Sequence, residues 1–155
     1  MSNNYEYEII DRDDVTASRL MQFGMVLFLL GLLTGFAVPM LQMPRMGLAS
    51  HMQGIINGML LVIMGVVWTR LRLSGRTRSI LLGLLIYGTF ANWLATLLAA
   101  AFGVGRSMPI AAAGRTGLPA LETLVDFLLF SLSFAMIAVS IIVIKGLRLP
   151  AASGE

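Results

Sequence analysis

Residues 79–102 read SILLGLLIYGTFANWLATLLAAAF, a run without one charged side chain. The stretch before it, RLRLSGRTR at 70–78, carries four arginines. About 20 apolar residues are what a helix needs to cross the hydrocarbon core of a bilayer. Inside that core the backbone must bond within its own segment, so the run is a helix; it does not alternate as a barrel strand would. Three further runs of this kind lie at about 20–41, 47–69 and 121–144. The breaks are plain: Gln42-Met43-Pro44-Arg45 makes a tight turn, 70–78 a basic hairpin loop, and 103–119, rich in Gly, Ala and Pro, the longest connection. Pro119 stands where the fourth helix starts, a position that suits a residue without an amide proton. The expected fold is all-α, a polytopic membrane protein built as a four-transmembrane-helix bundle.

The composition agrees. Of 155 residues 57% are apolar and 12% charged, about half the charged share of a soluble domain. The formal charge of +3 gives no ground for a nucleic-acid partner, because the arginines sit in short loops where they orient the chain and meet lipid headgroups. Arg12, Arg19, Arg70, Arg72, Arg76, Arg78, Lys145 and Arg148 fall on one side, and Arg45, Arg106 and Arg115 on the other. Eight positive residues against three put both termini and the middle loop in the cytoplasm, and the expected location is an inner (cytoplasmic) membrane of bacterial type. Residues 1–19 lack the basic start and small-residue cleavage site of a secretory signal. They read as a polar cytoplasmic tail, with an interfacial helix as the alternative. The membrane domain spans 20–148 and a short tail 149–155. The absence of cysteine excludes disulfides, iron–sulfur clusters, thiolate-ligated haem and covalent c-type attachment.

Polar groups within the apolar runs are few: His51, Gln53 and Asn57 on the second, Asn92 and Thr96 on the third, Glu122 and Asp126 at the start of the fourth. Their cost in hydrocarbon makes them functional candidates. By depth all seven belong to the non-cytoplasmic half, which points to one shared site. Gly54, Gly58 and Gly65 fall on the His51 face at helical spacing. That strip is either a bed for a flat macrocycle below the imidazole or a close helix contact. His51 itself, near a helix start, is either a ligand or a headgroup contact. Asn57 and Asn92 serve a substrate or simply pair between helices. Glu122 suits a helix N-terminus; Asp126, a turn deeper, is the candidate proton relay.

The segments Pro-Arg-Met-Gly-Leu at 44–48 followed by His51, Gly54, Asn57 and Gly58, Tyr-Gly-Thr-Phe-Ala-Asn-Trp-Leu-Ala at 87–95, and Met-Pro-Ile-Ala at 108–111 resemble the hydroxylaminobenzene mutase family. The resemblance runs from about 20 to 148. More distantly, His51 with Asn57-Gly58 and the pair Ala91-Asn92 resemble styrene oxide isomerase. The mutase resemblance implies conversion of an N-arylhydroxylamine to a 2-aminophenol. The isomerase resemblance implies haem b with His51 as the iron ligand, Asn57 and Asn92 lining the substrate side, and a trimer with haem at subunit contacts. Thr96 and Gly88 stand where styrene oxide isomerase has a tyrosine and an aspartate, which favours a substrate other than an epoxide.

A lone histidine cannot give the two axial ligands usual for electron-transfer b haems, whereas a haem with one open position suits catalysis. The expected function is therefore an intramolecular isomerase with ferric haem b as Lewis acid. His51, Gly54 and Gly58 would hold the cofactor, Asn57 and Asn92 would orient a small aromatic substrate arriving from the lipid bilayer, and Asp126 would relay a proton. The chain is expected to act as a homo-oligomer. The competing readings are an epoxide isomerase, a non-enzymatic haem- or quinone-binding membrane subunit, and a small transporter. The last lacks a charged residue near the bilayer midplane.

Overall fold

In the computed structural model the described residues are 2–147, with side-chain surroundings from residue 12 onward. Arg148 and the tail 149–155 lie outside the described residues. The chain is all-α. Helices α1 (Ser2–Ala37), α2 (Pro44–Val67), α3 (Gly75–Phe102) and α5 (Pro119–Gly146) are long, and α4 (Pro109–Ala112) is a single turn in the α3–α5 connection. Each long helix contains a segment long and apolar enough to cross a membrane.

The element ends follow local chemistry. Pro44 and Pro119 occupy first-turn positions of α2 and α5, where a missing amide proton leaves nothing unpaired. Ser74 caps α3, accepting a hydrogen bond from the Thr77 amide at 3.4 Å and satisfying one orphan donor of the first turn. Gly103 ends α3 in the left-handed region, φ 68°, which a residue without Cβ adopts freely. Pro39 closes the first apolar run inside a 3₁₀ turn, Val38–Met40. The single turn α4 interrupts what reads in sequence as plain connection.

The N-terminal segment departs from the tail expected at 1–19. It is helical from Ser2 and continuous with the first apolar run. Asp13 on this extension pairs with Arg78 at the start of α3. Arg78 Nη2 also donates to the Leu71 carbonyl at 2.6 Å. One guanidinium thus joins α1 to the α2–α3 turn.

The helices pack in chain order: α1 on α2, α2 on α3, α3 on α5. A cluster from Leu20 and Leu27, Leu61 and Trp68, Leu81 and Val139 fills one part of the interior. A second, around Met43, Met46, Ala99, Val104 and Val125, fills the end near the 103–118 connection. The outward faces are apolar too. Phe127, Phe130 and Phe134 on α5 and Met52, Ile56 and Ile63 on α2 are exposed, as expected where lipid rather than water surrounds the helices.

The α1–α2 seam is the closest contact. A Cβ added at Gly54 would stand 2.4 Å from Gly31 Cα, and one at Gly58 would stand 2.6 Å from the Phe28 amide nitrogen. Both clashes are with backbone, which cannot swing aside. In hydrocarbon, where helices gain nothing from excluding lipid tails, such close approach is what drives association. Gly54→Val and Gly58→Val are therefore expected to destabilise the protein by about 1–3 kcal/mol, read as a lower Tm in detergent. Gly83→Ala, where an added Cβ meets nothing within 4 Å and alanine is the better helix former, is expected not to lower Tm.

Candidate active site

The same seam sets the imidazole. His51 Nδ1 lies 2.8 Å from the Gly31 carbonyl oxygen. A carbonyl only accepts, so Nδ1 carries a proton, and in the neutral ring the lone pair is then on Nε2. Gly35, one turn on, leaves space for the ring: a Cβ there would stand 2.7 Å from His51 Nδ1. His51 is half-buried at a wide, largely apolar recess of about 360 Å³ between α1 and α2, lined by Leu32, Gly35, Phe36, Val38 and Leu48. An imidazole with one nitrogen bonded to a backbone carbonyl and the other free is the arrangement of a metal-ligating histidine. Among the described residues no group of three or more His, Cys, Asp or Glu side chains is placed to hold a bare metal ion. A donor set of one imidazole in an apolar recess suits iron already held in a macrocycle. Gly54 and Gly58 are a correction to the expected cofactor bed. Their face is covered by the α1 backbone, so the glycine strip is a helix contact and only the His51 end of it opens to a recess.

A second polar group lies around the helix. Gln53 Oε1 accepts from Asn92 Nδ2 at 2.9 Å and from Asn57 Nδ2 at 3.4 Å. Asn57 is 7% exposed, and Gln53 and Asn92 are half-buried. Gln53 follows His51 by two residues, so the two side chains leave α2 roughly 200° apart. None of the three amides lines the recess at His51. Trp93, beside Asn92, is fixed by its own contacts: its Nε1–H donates to Thr34 Oγ1 at 3.1 Å, and its carbonyl accepts from Ser50 Oγ at 3.1 Å. Thr96 bonds back to the Asn92 and Trp93 carbonyls. At Gly88 an added Cβ would stand 2.5 Å from Met136 Sδ, so α5 fills the space a longer side chain would need.

The carboxylates form a third group. Glu122, 2% exposed, accepts from the amides of Gly105 at 3.2 Å, Arg106 at 2.9 Å and Gly117 at 2.7 Å. It ties both ends of the 103–118 connection to the first turn of α5. Asp126 accepts from Arg106 Nε at 3.0 Å and from the Ser107 hydroxyl, and its hydrogen bond, then its charge, raise the Arg106 guanidinium above its ordinary pKa. Asp126 is bonded to neither asparagine and not to His51. The seven polar residues expected at one site are thus three groups in a single chain. Depth alone brought them together in the sequence; azimuth separates them. Gln53 as the link between the asparagines went unassigned, although its spacing of four from Asn57 puts both on one helix face.

Removing the Glu122 carboxylate should release the connection alone. In Glu122→Ala, hydrogen exchange at the amides of Gly105, Arg106 and Gly117 is expected to accelerate while amides along the α1–α2 seam keep their protection.

Comparison with known proteins gives the family. The family model described as styrene oxide isomerase matches residues 16–148. Two hydroxylaminobenzene mutases of Ectopseudomonas oleovorans are similar along most of the chain. HabB is 52% identical over 137 residues, covering 88% of this chain and 84% of that protein. HabA is 50% identical over 125 residues, covering 80% and 93%. No solved structure matches. The chain belongs to the styrene oxide isomerase family, on the side of it where the hydroxylaminobenzene mutases stand.

Proposed function

We propose that this protein is a membrane-embedded isomerase that converts N-arylhydroxylamines, hydroxylaminobenzene among them, to 2-aminophenols. The observation that carries this reading is the extended kinship with two hydroxylaminobenzene mutases. It supports an enzyme over the non-enzymatic membrane subunit. The four apolar helices and the excess of arginine on one side support an inner-membrane location with both termini cytoplasmic.

The reaction is an isomerisation. The N–O bond breaks, a C–O bond forms at the ortho ring carbon, and the proton lost from that carbon is balanced by one gained at nitrogen. No electron donor is consumed. His51, held by Gly31 with Nε2 free, is the residue that would hold ferric haem b. When bound, such a group supplies Lewis acidity toward the N-bound oxygen. The recess walls, Leu32, Phe36, Val38 and Leu48, are apolar and would pack against the macrocycle. Asn57 and Asn92 orient the polar end of the substrate. His51 and the amides are apart within one chain, and the reading has a second copy of the chain bring them together in a homo-oligomer; the styrene oxide isomerase resemblance implies a trimer. Asp126, neutralised by Arg106, holds the connection rather than moving a proton.

The epoxide isomerase reading is kept alive by the family model itself. Against it stand Thr96, whose hydroxyl is turned back onto its own helix, and Gly88, whose space Met136 takes.

Protein purified in mild detergent is expected to turn phenylhydroxylamine into 2-aminophenol without added reductant. It should show a Soret band that weakens or shifts in His51→Ala, with activity lost. Asp126→Asn is expected to keep wild-type turnover. A colourless protein that still makes 2-aminophenol removes haem from the reading, and conversion of styrene oxide to an aldehyde in place of 2-aminophenol formation transfers the assignment to the epoxide class.

A further inference from the structure

The geometry points to Gln53 as a positioning residue that selects substrates bearing hydrogen-bond donors. This rests on the proposed arylhydroxylamine reading and adds to it the feature of the substrate that is recognised.

A glutamine within an apolar helix is costly unless its amide is used. Here one oxygen, Gln53 Oε1, accepts from amide nitrogens on two helices, Asn57 on α2 and Asn92 on α3. An unrestrained asparagine amide can turn about its last torsion and exchange donor for acceptor. Gln53 restricts that freedom at both positions, more firmly at Asn92 (2.9 Å) than at Asn57 (3.4 Å). With each Nδ2 directed at Gln53, each Oδ1 points away from it. Asn57 Oδ1 and Asn92 Oδ1 make no hydrogen bond among the described residues, and neither does Gln53 Nε2. The cluster therefore offers two acceptors set by one hub, with the hub's own N–H groups beside them.

An arylhydroxylamine presents a matching set: an N–H and an O–H to donate, and an oxygen to accept. An epoxide presents only the accepting oxygen. Two carbonyl oxygens left facing it would stay unpaired in a medium without water. A site built to accept hydrogen bonds discriminates against an analogue that lacks donors for this reason. Gln53 touches the asparagines and acts on substrate through them, by fixing which end of each amide faces it.

Three forms of the full-length protein in lipid nanodiscs test this: wild type, Gln53→Met, which keeps the length of the side chain and removes its polarity, and Gln53→Glu, which keeps an accepting oxygen for both asparagines. Wild-type oligomer size and Tm serve as the folding control. On phenylhydroxylamine, Gln53→Met is expected to lose about a hundredfold in kcat/KM, the scale of a misplaced reacting group. Gln53→Glu should recover most of that loss. Ligand binding gives a readout that does not depend on turnover: wild type is expected to bind aniline in preference to toluene, and Gln53→Met to lose the preference. Wild type that makes no 2-aminophenol yet keeps a Gln53-dependent aniline preference overturns the reaction assigned above and leaves the role of Gln53 standing. Unchanged kcat/KM and an unchanged aniline-to-toluene ratio in folded Gln53→Met overturn the role of Gln53, as does equal loss in Gln53→Met and Gln53→Glu.

Discussion

The contact on which the rest of the structure depends is the one between Gly31 on α1 and Gly54 on α2. The helices meet there backbone to backbone. Any side chain at either position would push them apart, and with them the carbonyl of Gly31 that holds His51 Nδ1. Packing and chemistry are therefore one constraint. The glycines that let two helices associate without help from the hydrophobic effect also decide which imidazole nitrogen is protonated. The lone histidine is oriented as the helices pack, with Nδ1 turned to the Gly31 carbonyl, so the cost of holding the ring is met by the fold.

The remaining polar groups divide the work by position. Gln53, Asn57 and Asn92 use an α2–α3 flank to present amide groups. Glu122 and Asp126 spend their charge on the 103–118 connection, satisfying backbone amides and one arginine at the end of the bundle. Asp13 and Arg78 do a comparable service at the opposite end. At each end an aspartate is paired with an arginine, Asp126 with Arg106 and Asp13 with Arg78, and between them lie neutral amides and one imidazole. That distribution follows from the cost of isolated charge in hydrocarbon.

The fold was largely legible from the sequence, and the site less so. The second, third and fourth apolar runs were placed within a few residues of their helices because hydropathy over about 20 residues is a strong signal, and Pro119 marked its helix start correctly. The first helix was cut short at residue 20: hydropathy reports where the apolar stretch begins, and a polar extension of the same helix leaves no such trace. His51 stood out as the only imidazole. Gly54 and Gly58 were ambiguous, since a helical wheel tells which residues share a face and not which neighbour covers it; Gly31, on another helix, decides the matter. Asp126 looked like an acid–base residue by depth, but its partners Arg106 and Ser107 lie about twenty positions upstream, beyond any local spacing rule. Gln53 lay in view at four residues from Asn57. Its importance emerged only when Asn92 was brought to the same oxygen.

Because the chain has a single histidine, a sample labelled with ¹⁵N-histidine reports on one ring. The most direct measurement is the ¹⁵N spectrum of that ring in haem-free protein in lipid at alkaline pH. A protonated Nδ1 that shifts in Gly31→Ala, with an unprotonated Nε2, is the result expected if the α1–α2 seam sets the ring. A ring protonated at Nε2, or one whose two nitrogens exchange their proton freely, would contradict it.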